Sequence, residues 1–172
     1  VSKDDVRKLV ENLIAAKREY SLLVEDEEEQ HVGDPASARQ LAALEKRLGR
    51  PLPPSYRAFL ELHDGWADFD GDGAILSIED QSKSWVKKRV ASLGGHFEEE
   101  GDSDPFKAGA LPVMIGKTIR NYLVLDPSKT RRTGEMDFVL FDLAREEERF
   151  KDFTSYLKWD LKLTKQLIKE EK

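Results

Sequence analysis

The 172 residues contain no cysteine, which excludes disulfides, thiolate metal sites and cysteine nucleophiles together. Long apolar runs are also missing. The longest stretches are a few residues, far short of the roughly 20 that a membrane-spanning helix requires. Histidine is scarce: His31, His63 and His96 are widely separated, and none stands in a metal-binding helix pattern or beside a nucleophile elbow. No glycine-rich phosphate loop follows a strand, because Gly94-Gly95 reads as the end of a helix where such a loop would open one. These absences remove the familiar catalytic constellations. The chain is expected to be no enzyme and to need no cofactor.

Charge is plentiful. Thirty-six percent of residues are charged and the formal net charge is −6, with the acids in blocks at Glu25–Glu29, Asp68 to Asp72, Glu98 to Asp104 and Glu146–Glu148. Binding to phosphate backbones depends on neutralisation by Lys and Arg, so nucleic acid is a poor fit and a cationic protein is the expected partner. Acidic blocks also serve simply as solvated loops that keep a protein soluble. The charged start, VSKDDVRK, carries no signal peptide pattern, and with no membrane span the expected location is cytoplasmic.

Hydrophobic periodicity divides the chain into helices, then strands, then a helix. Val6, Leu9, Val10, Leu13, Ile14 and Tyr20 make a first amphipathic helix, with Ser2 and Asp5 at capping-box spacing. Glu25–Gly33 reads as an acidic connector. Leu41, Leu44 and Leu48 form the face of a second helix, capped at Asp34-Pro35 and ended by Gly49. Pro53-Pro54 opens a third helix carrying Tyr56, Phe59, Leu60 and His63, and Asp64-Gly65 stops it. The large aromatics Tyr56, Phe59 and Trp66 are expected in the core.

After Trp66 the period changes. Ile75–Ile78 reads as a short strand, and Ser82–Leu93 as a helix bearing Trp85, Val86, Arg89 and Val90 that Gly94-Gly95 ends. His96–Gly109 reads as a loop. Leu111–Ile115, Tyr122–Asp126 and Phe138–Asp142 are strand-like runs joined by hairpin connections, and their close spacing favours antiparallel pairing. A last helix runs from Phe150 to about Ile168. The fold class is α+β: a central, mainly antiparallel sheet of about four or more strands, flanked by N-terminal helices and a C-terminal helix.

One segment matches a calcium-loop pattern in full. Asp68-Phe69-Asp70-Gly71-Asp72-Gly73, followed by Glu79, satisfies D-x-D-x-D-G-x₅-E, and its carboxylates are the hard oxygen donors calcium prefers. In an EF-hand, however, the incoming helix runs into the first ligand, whereas here Asp64-Gly65 interrupts it. Calcium binding is therefore kept as an alternative, and the expected metal ligands are none.

Residues 44–66, LEKRLGRPLPPSYRAFLELHDGW, place Glu45, Leu48-Gly49, Leu52-Pro53, Tyr56, Phe59-Leu60 and Gly65-Trp66 in an order that resembles the SUKH superfamily, the immunity proteins of bacterial polymorphic toxin systems and fungal cell-wall synthesis regulators. The resemblance implies a single SUKH-like domain over 1–172, with residues 1–36 as helix and connector and about 38–161 as the family-like core. It implies a bacterial immunity protein that binds a cognate toxin, a basic nuclease-type domain given the acidic charge, and occludes its active site or substrate surface. A regulatory protein-protein adaptor is the alternative. Neither nucleic acid nor membrane is an expected partner. Recognition that must change quickly sits best on loops, so the candidate partner-binding residues are Asp68, Asp70, Asp72, Glu98, Glu99, Glu100, Asp102 and Asp104. The two loops that hold them are expected to lie side by side.

Overall fold

The computed structural model describes residues 2–26 and 29–172. Glu27 and Glu28 of the first acidic block lie outside the described residues. The order is α1 (Lys3–Leu23), β1 (His31–Val32), α2 (Ala38–Leu48), α3 (Pro54–Leu62), β2 (Trp66–Asp70), β3 (Gly73–Ile75), α4 (Ser84–Glu99), β4 (Leu111–Ile115), β5 (Asn121–Thr130), β6 (Met136–Asp142), β7 (Arg145–Phe150) and α5 (Phe153–Glu171). The seven strands form one sheet in sequence order, each antiparallel to its neighbour. The α+β class and the antiparallel sheet agree with the reading from sequence.

Strand alternation sends side chains to two cores. Leu123, Leu125, Phe138 and Leu140 pack with α1, α2, α3 and α5, whereas Tyr122, Val124, Val139 and Phe141 pack with Val86, Leu93 and Phe97 of α4. Both faces of β5 and β6 are covered, so these strands read as nearly continuous apolar runs. Tyr56, Phe59 and Trp66 are 1%, 0% and 1% exposed, as their spacing predicts. Ser55 clamps three elements: its N–H and Oγ each donate to Glu135 at 2.7 Å, and its Oγ accepts from the Phe153 N–H at 3.0 Å.

Several boundaries differ from the sequence reading, each for a local reason. The Ser2–Asp5 capping box is present at α1, but α2 begins at a second box, Ser37–Gln40, and Asp34 instead uses its carbonyl to accept the Asp64 N–H at 2.6 Å. Gly94-Gly95 does not end α4. The helix continues to Glu99, so His96, Glu98 and Glu99 are helical and the following loop is shorter than expected. Gly94 is required by packing: a Cβ there would collide with the Asp104 carboxylate, which the glycine lets approach the helix. Trp66–Asp70 is a strand with a bulge that puts Asp68 at φ 56°, a region aspartate tolerates better than most residues. Ile75 ends β3, so the expected strand is shifted toward its N-terminus. Arg145–Phe150, with only Phe150 buried, is an edge strand, and α5 starts at Phe153, three residues later than its apolar stripe suggests. Charged side chains on an exposed edge discourage pairing with another chain.

Candidate functional site

Of the eight acidic residues singled out from sequence, Asp68 and Asp70 line one depression, Glu100 and Asp102 line another, and the other four line neither. Asp68 and Asp70 stand on the β2–β3 hairpin, where the bulge and the Asp70–Gly73 turn project them toward the C-terminal end of α1 and the middle of α5. The depression there has a volume of about 240 Å³ and is lined by four carboxylates, Asp26, Asp68, Asp70 and Asp160, with one ammonium, Lys17. Tyr20, Val24, Phe69, Leu163 and Leu167 supply apolar wall.

Within it, Asp160 is only 6% exposed. Its Oδ2 lies 2.9 Å from Lys17 Nζ in a buried ion pair, and no other polar group among the described residues reaches that oxygen. Burial pushes the Asp160 carboxyl above the ordinary aspartate value, and the Lys17 charge opposes that rise. Lys17 also sits 4.3 Å from the centroid of the Phe69 ring. Asp68 is 3.3 Å from His31 Nδ1. Trp66 anchors the rear of the region, its Nε1–H donating to Gln30 at 3.0 Å.

Asp72, at the tip of the hairpin, turns to different work. Its Oδ2 accepts from the Thr118 N–H and hydroxyl at 2.7 Å each, and its Oδ1 from the Ile119 N–H at 3.1 Å. Burial resists its ionisation, but these bonds outweigh burial and hold the carboxyl below the usual range. Asp72 therefore locks the β2–β3 hairpin to the β4–β5 turn. The twelve positions of the calcium-like pattern run from the bulge of β2 through β3 to Glu79, the first residue of a 3₁₀ turn, with Asp68 and Asp72 in separate contacts. Among the described residues, no group of three or more His, Asp or Glu is placed to hold a metal ion.

The other acids sit at the far end of α4. Glu98 is ion-paired with Lys107, and Glu99 approaches His96 Nδ1 at 3.9 Å. Asp104 accepts the Phe106 N–H at 2.8 Å. Glu100 and Asp102 line a depression of about 530 Å³ with Arg120, Asp142, Leu143, Ala144 and Arg145. Two arginines stand against three carboxylates there, and Arg120 is bonded to Asp142 at 3.0 Å. The two acidic groups thus stand at separate depressions, contrary to the expectation that their loops lie side by side. They are based on opposite faces of the sheet, because α4 packs on the face that α1 and α5 do not.

The residues that sequence reasoning missed are apolar or buried. Leu22, Leu23, Val24 and Leu163 are the exposed large hydrophobic residues of the described chain, at 77%, 37%, 37% and 40%. Val24 and Leu163 line the first depression, and Leu22 and Leu23 precede Val24 at the end of α1. One signal was available: Asp160 lies three and four residues from Leu157 and Tyr156, so the apolar stripe of the last helix carries a carboxylate.

No described helix is long and apolar enough to cross a membrane. The Bacillus subtilis (strain 168) protein described as "Uncharacterized protein YnaB" is 43% identical to this chain over 49 residues, which are 28% of this chain and 33% of that relative. The match spans about a third of the curated relative's length. Residues 35–159, from the turn before α2 to the second turn of α5, match the SMI1 / KNR4 family (SUKH-1), and the chain belongs to that family.

Proposed function

We propose that this chain is an immunity protein, which binds a cognate toxin and neutralises it by covering its active site or substrate surface. The observation that carries this reading is the family match along residues 35–159, and membership supports an immunity or regulatory role. The net charge of −6 adds the partner's chemistry: a basic domain of the nuclease type, steered by an acidic surface. Inhibition needs no catalytic step, only an interface of roughly 1,200–2,000 Å² that excludes substrate. Asp68 and Asp70 are the foremost contacts, with Glu99, Glu100 and Asp102 as a secondary group; Glu98, Asp104 and Asp72 act mainly by holding local structure. The domain reading follows from the same proposal, with the family-like core at about 38–161 and residues 1–36 as an added helix and connector.

Co-expression tests it. If a toxin domain is encoded beside this chain's gene, cells producing it should grow when this chain is also produced, and the purified chain should show no hydrolase activity of its own. Growth arrest despite soluble expression of both proteins contradicts the reading.

A further inference from the structure

We propose that the depression between the end of α1, the β2–β3 hairpin and α5 is an anchor socket for a cationic, amphipathic segment of the partner, one arginine or lysine entering it with flanking leucine-like side chains on its apolar rim. The inference rests on the immunity reading for the identity of the partner, but the site itself stands on three separate observations.

The first is shape with charge. A volume of about 240 Å³ accommodates a long side chain rather than a whole cofactor, and four carboxylates against one ammonium give it a negative interior. Lys17 does not cancel this, because its charge is already opposed by Asp160 at 2.9 Å. Asp26 and Asp70 have no ion-pair partner among the described residues.

The second is Asp160 itself. At 6% exposure and 2.9 Å from Lys17, it holds that ammonium in the wall, which leaves Asp70 and Asp26 to a cation from the partner. The third is the rim. All four exposed large hydrophobics of the described chain are at this one end, where Leu163 and Val24 form part of the wall and Leu22 is 77% exposed. Apolar residues clustered beside acids mark interaction surfaces, and a desolvated charge surrounded by apolar contact is the usual build of a binding hot spot. An arginine fits: its methylene stem would lie on Tyr20, Val24 and Leu163 while the guanidinium meets Asp70.

The test uses the isotopically labelled full chain in an NMR titration with an acetylated, amidated peptide alternating arginine and leucine, and with its citrulline counterpart, which keeps shape and loses charge. Saturable shifts confined to Tyr20, Val24, Asp70, Leu163 and Thr164, with binding weakened about fivefold or more by Asp70→Asn and by citrulline, support the socket. Leu163→Ser should weaken the same peptide while leaving the spectrum otherwise folded. Shifts spread equally over Glu98–Glu100, or Asp70→Asn binding as tightly as the parent, overturn it. The toxin reading fails separately: cells unprotected by a chain that still seats the peptide sink the immunity function and support the socket. Protection unchanged by Asp70→Asn together with Leu163→Ser overturns the socket and leaves the immunity function standing.

Discussion

At the α1–α5 end, Asp70 and Asp26 face a cavity with a single lysine, and that lysine is already opposed by Asp160. At the α4 end, Glu98 takes Lys107, Asp142 takes Arg120 and approaches Arg145 at 3.6 Å, and Asp104 spends its carboxylate on a backbone N–H. Both ends look alike in the sequence, as runs of acid. They differ in what surrounds the acids that are unpaired among the described residues: Glu100 and Asp102 share their depression with Arg120 and Arg145, whereas Asp26 and Asp70 share theirs with Lys17 alone and stand beside exposed apolar side chains. Surface pairs contribute little to stability, but nearby cations do weaken the field a partner would feel, so the end with a single lysine and exposed leucines is the one we propose receives a cation.

The comparison assumes equally firm scaffolding beneath both ends, and the largest expected effects test that. Trp66, packed edge-on to Phe69 with centroids 5.0 Å apart, supports the first end, and Phe97, edge-on to Phe141 at 5.2 Å, supports the second. Trp66→Ala and Phe97→Ala should each cost about 3–5 kcal/mol in denaturant-midpoint measurements, as should Phe59→Ala. A near-zero cost at either ring would show that end to be loosely built.

Removing each end's lysine separates the two further. Lys17→Met leaves Asp160 buried without a cation and should cost about 3–5 kcal/mol near neutral pH, whereas Lys107→Met should cost about 1 kcal/mol or less. The pH dependence has a definite sign. Because burial raises the folded-state pKa of Asp160 above the ordinary 3.8, its contribution falls as pH climbs from 3.8 through the folded value, and loss of Lys17 deepens that fall. Asp72, Asp126 and Asp137 act oppositely: their carboxyls are held low, so their contribution is present above 3.8 and is lost as pH drops through the folded values. Urea unfolding across pH 3 to 7 should show a steeper decline toward neutrality for Lys17→Met than for the parent.

A smaller pair of effects checks the path of α4. Gly94→Ala should destabilise by about 1–3 kcal/mol, since the methyl meets Asp104, while Gly95→Ala, whose Cβ would meet nothing within 4 Å, should stabilise by about 0.5–1 kcal/mol through helix propensity. Equal effects would mean that the Asp104 loop does not lean on the helix.

The core was legible in the sequence because its periods are clean. Leu41 and Leu44 at three-residue spacing, Gly49 in the left-handed region at φ 82°, and the run Leu111–Ile115 all stand where pattern and turn chemistry put them. The elements that escaped lack such a period. Arg145–Phe150 is a strand because β6 offers it an open edge, and His31–Val32 because β2 does, neither of which a local window registers. Gly94-Gly95 reads as a stop until Asp104, ten residues on from Gly94, is seen to occupy the space a side chain would take. For the candidate site, sequence gave the acids but not their partners. Asp72 looked like Asp70, yet one is tied to Thr118 and the other faces a cavity. The apolar rim depends on the end of α1 and the middle of α5 lying beside the same hairpin, a fact of tertiary structure.

The most direct measurement is growth of cells co-expressing the toxin domain that the proposal requires with either of two charge-neutralised chains, Asp68→Asn with Asp70→Asn, or Glu99→Gln with Glu100→Gln. The account predicts that the first pair loses much of the protection while the second keeps most of it, at equal soluble expression and equal melting temperature. Full protection by the first pair, with loss confined to the second, would contradict it and move the partner surface to the end of α4.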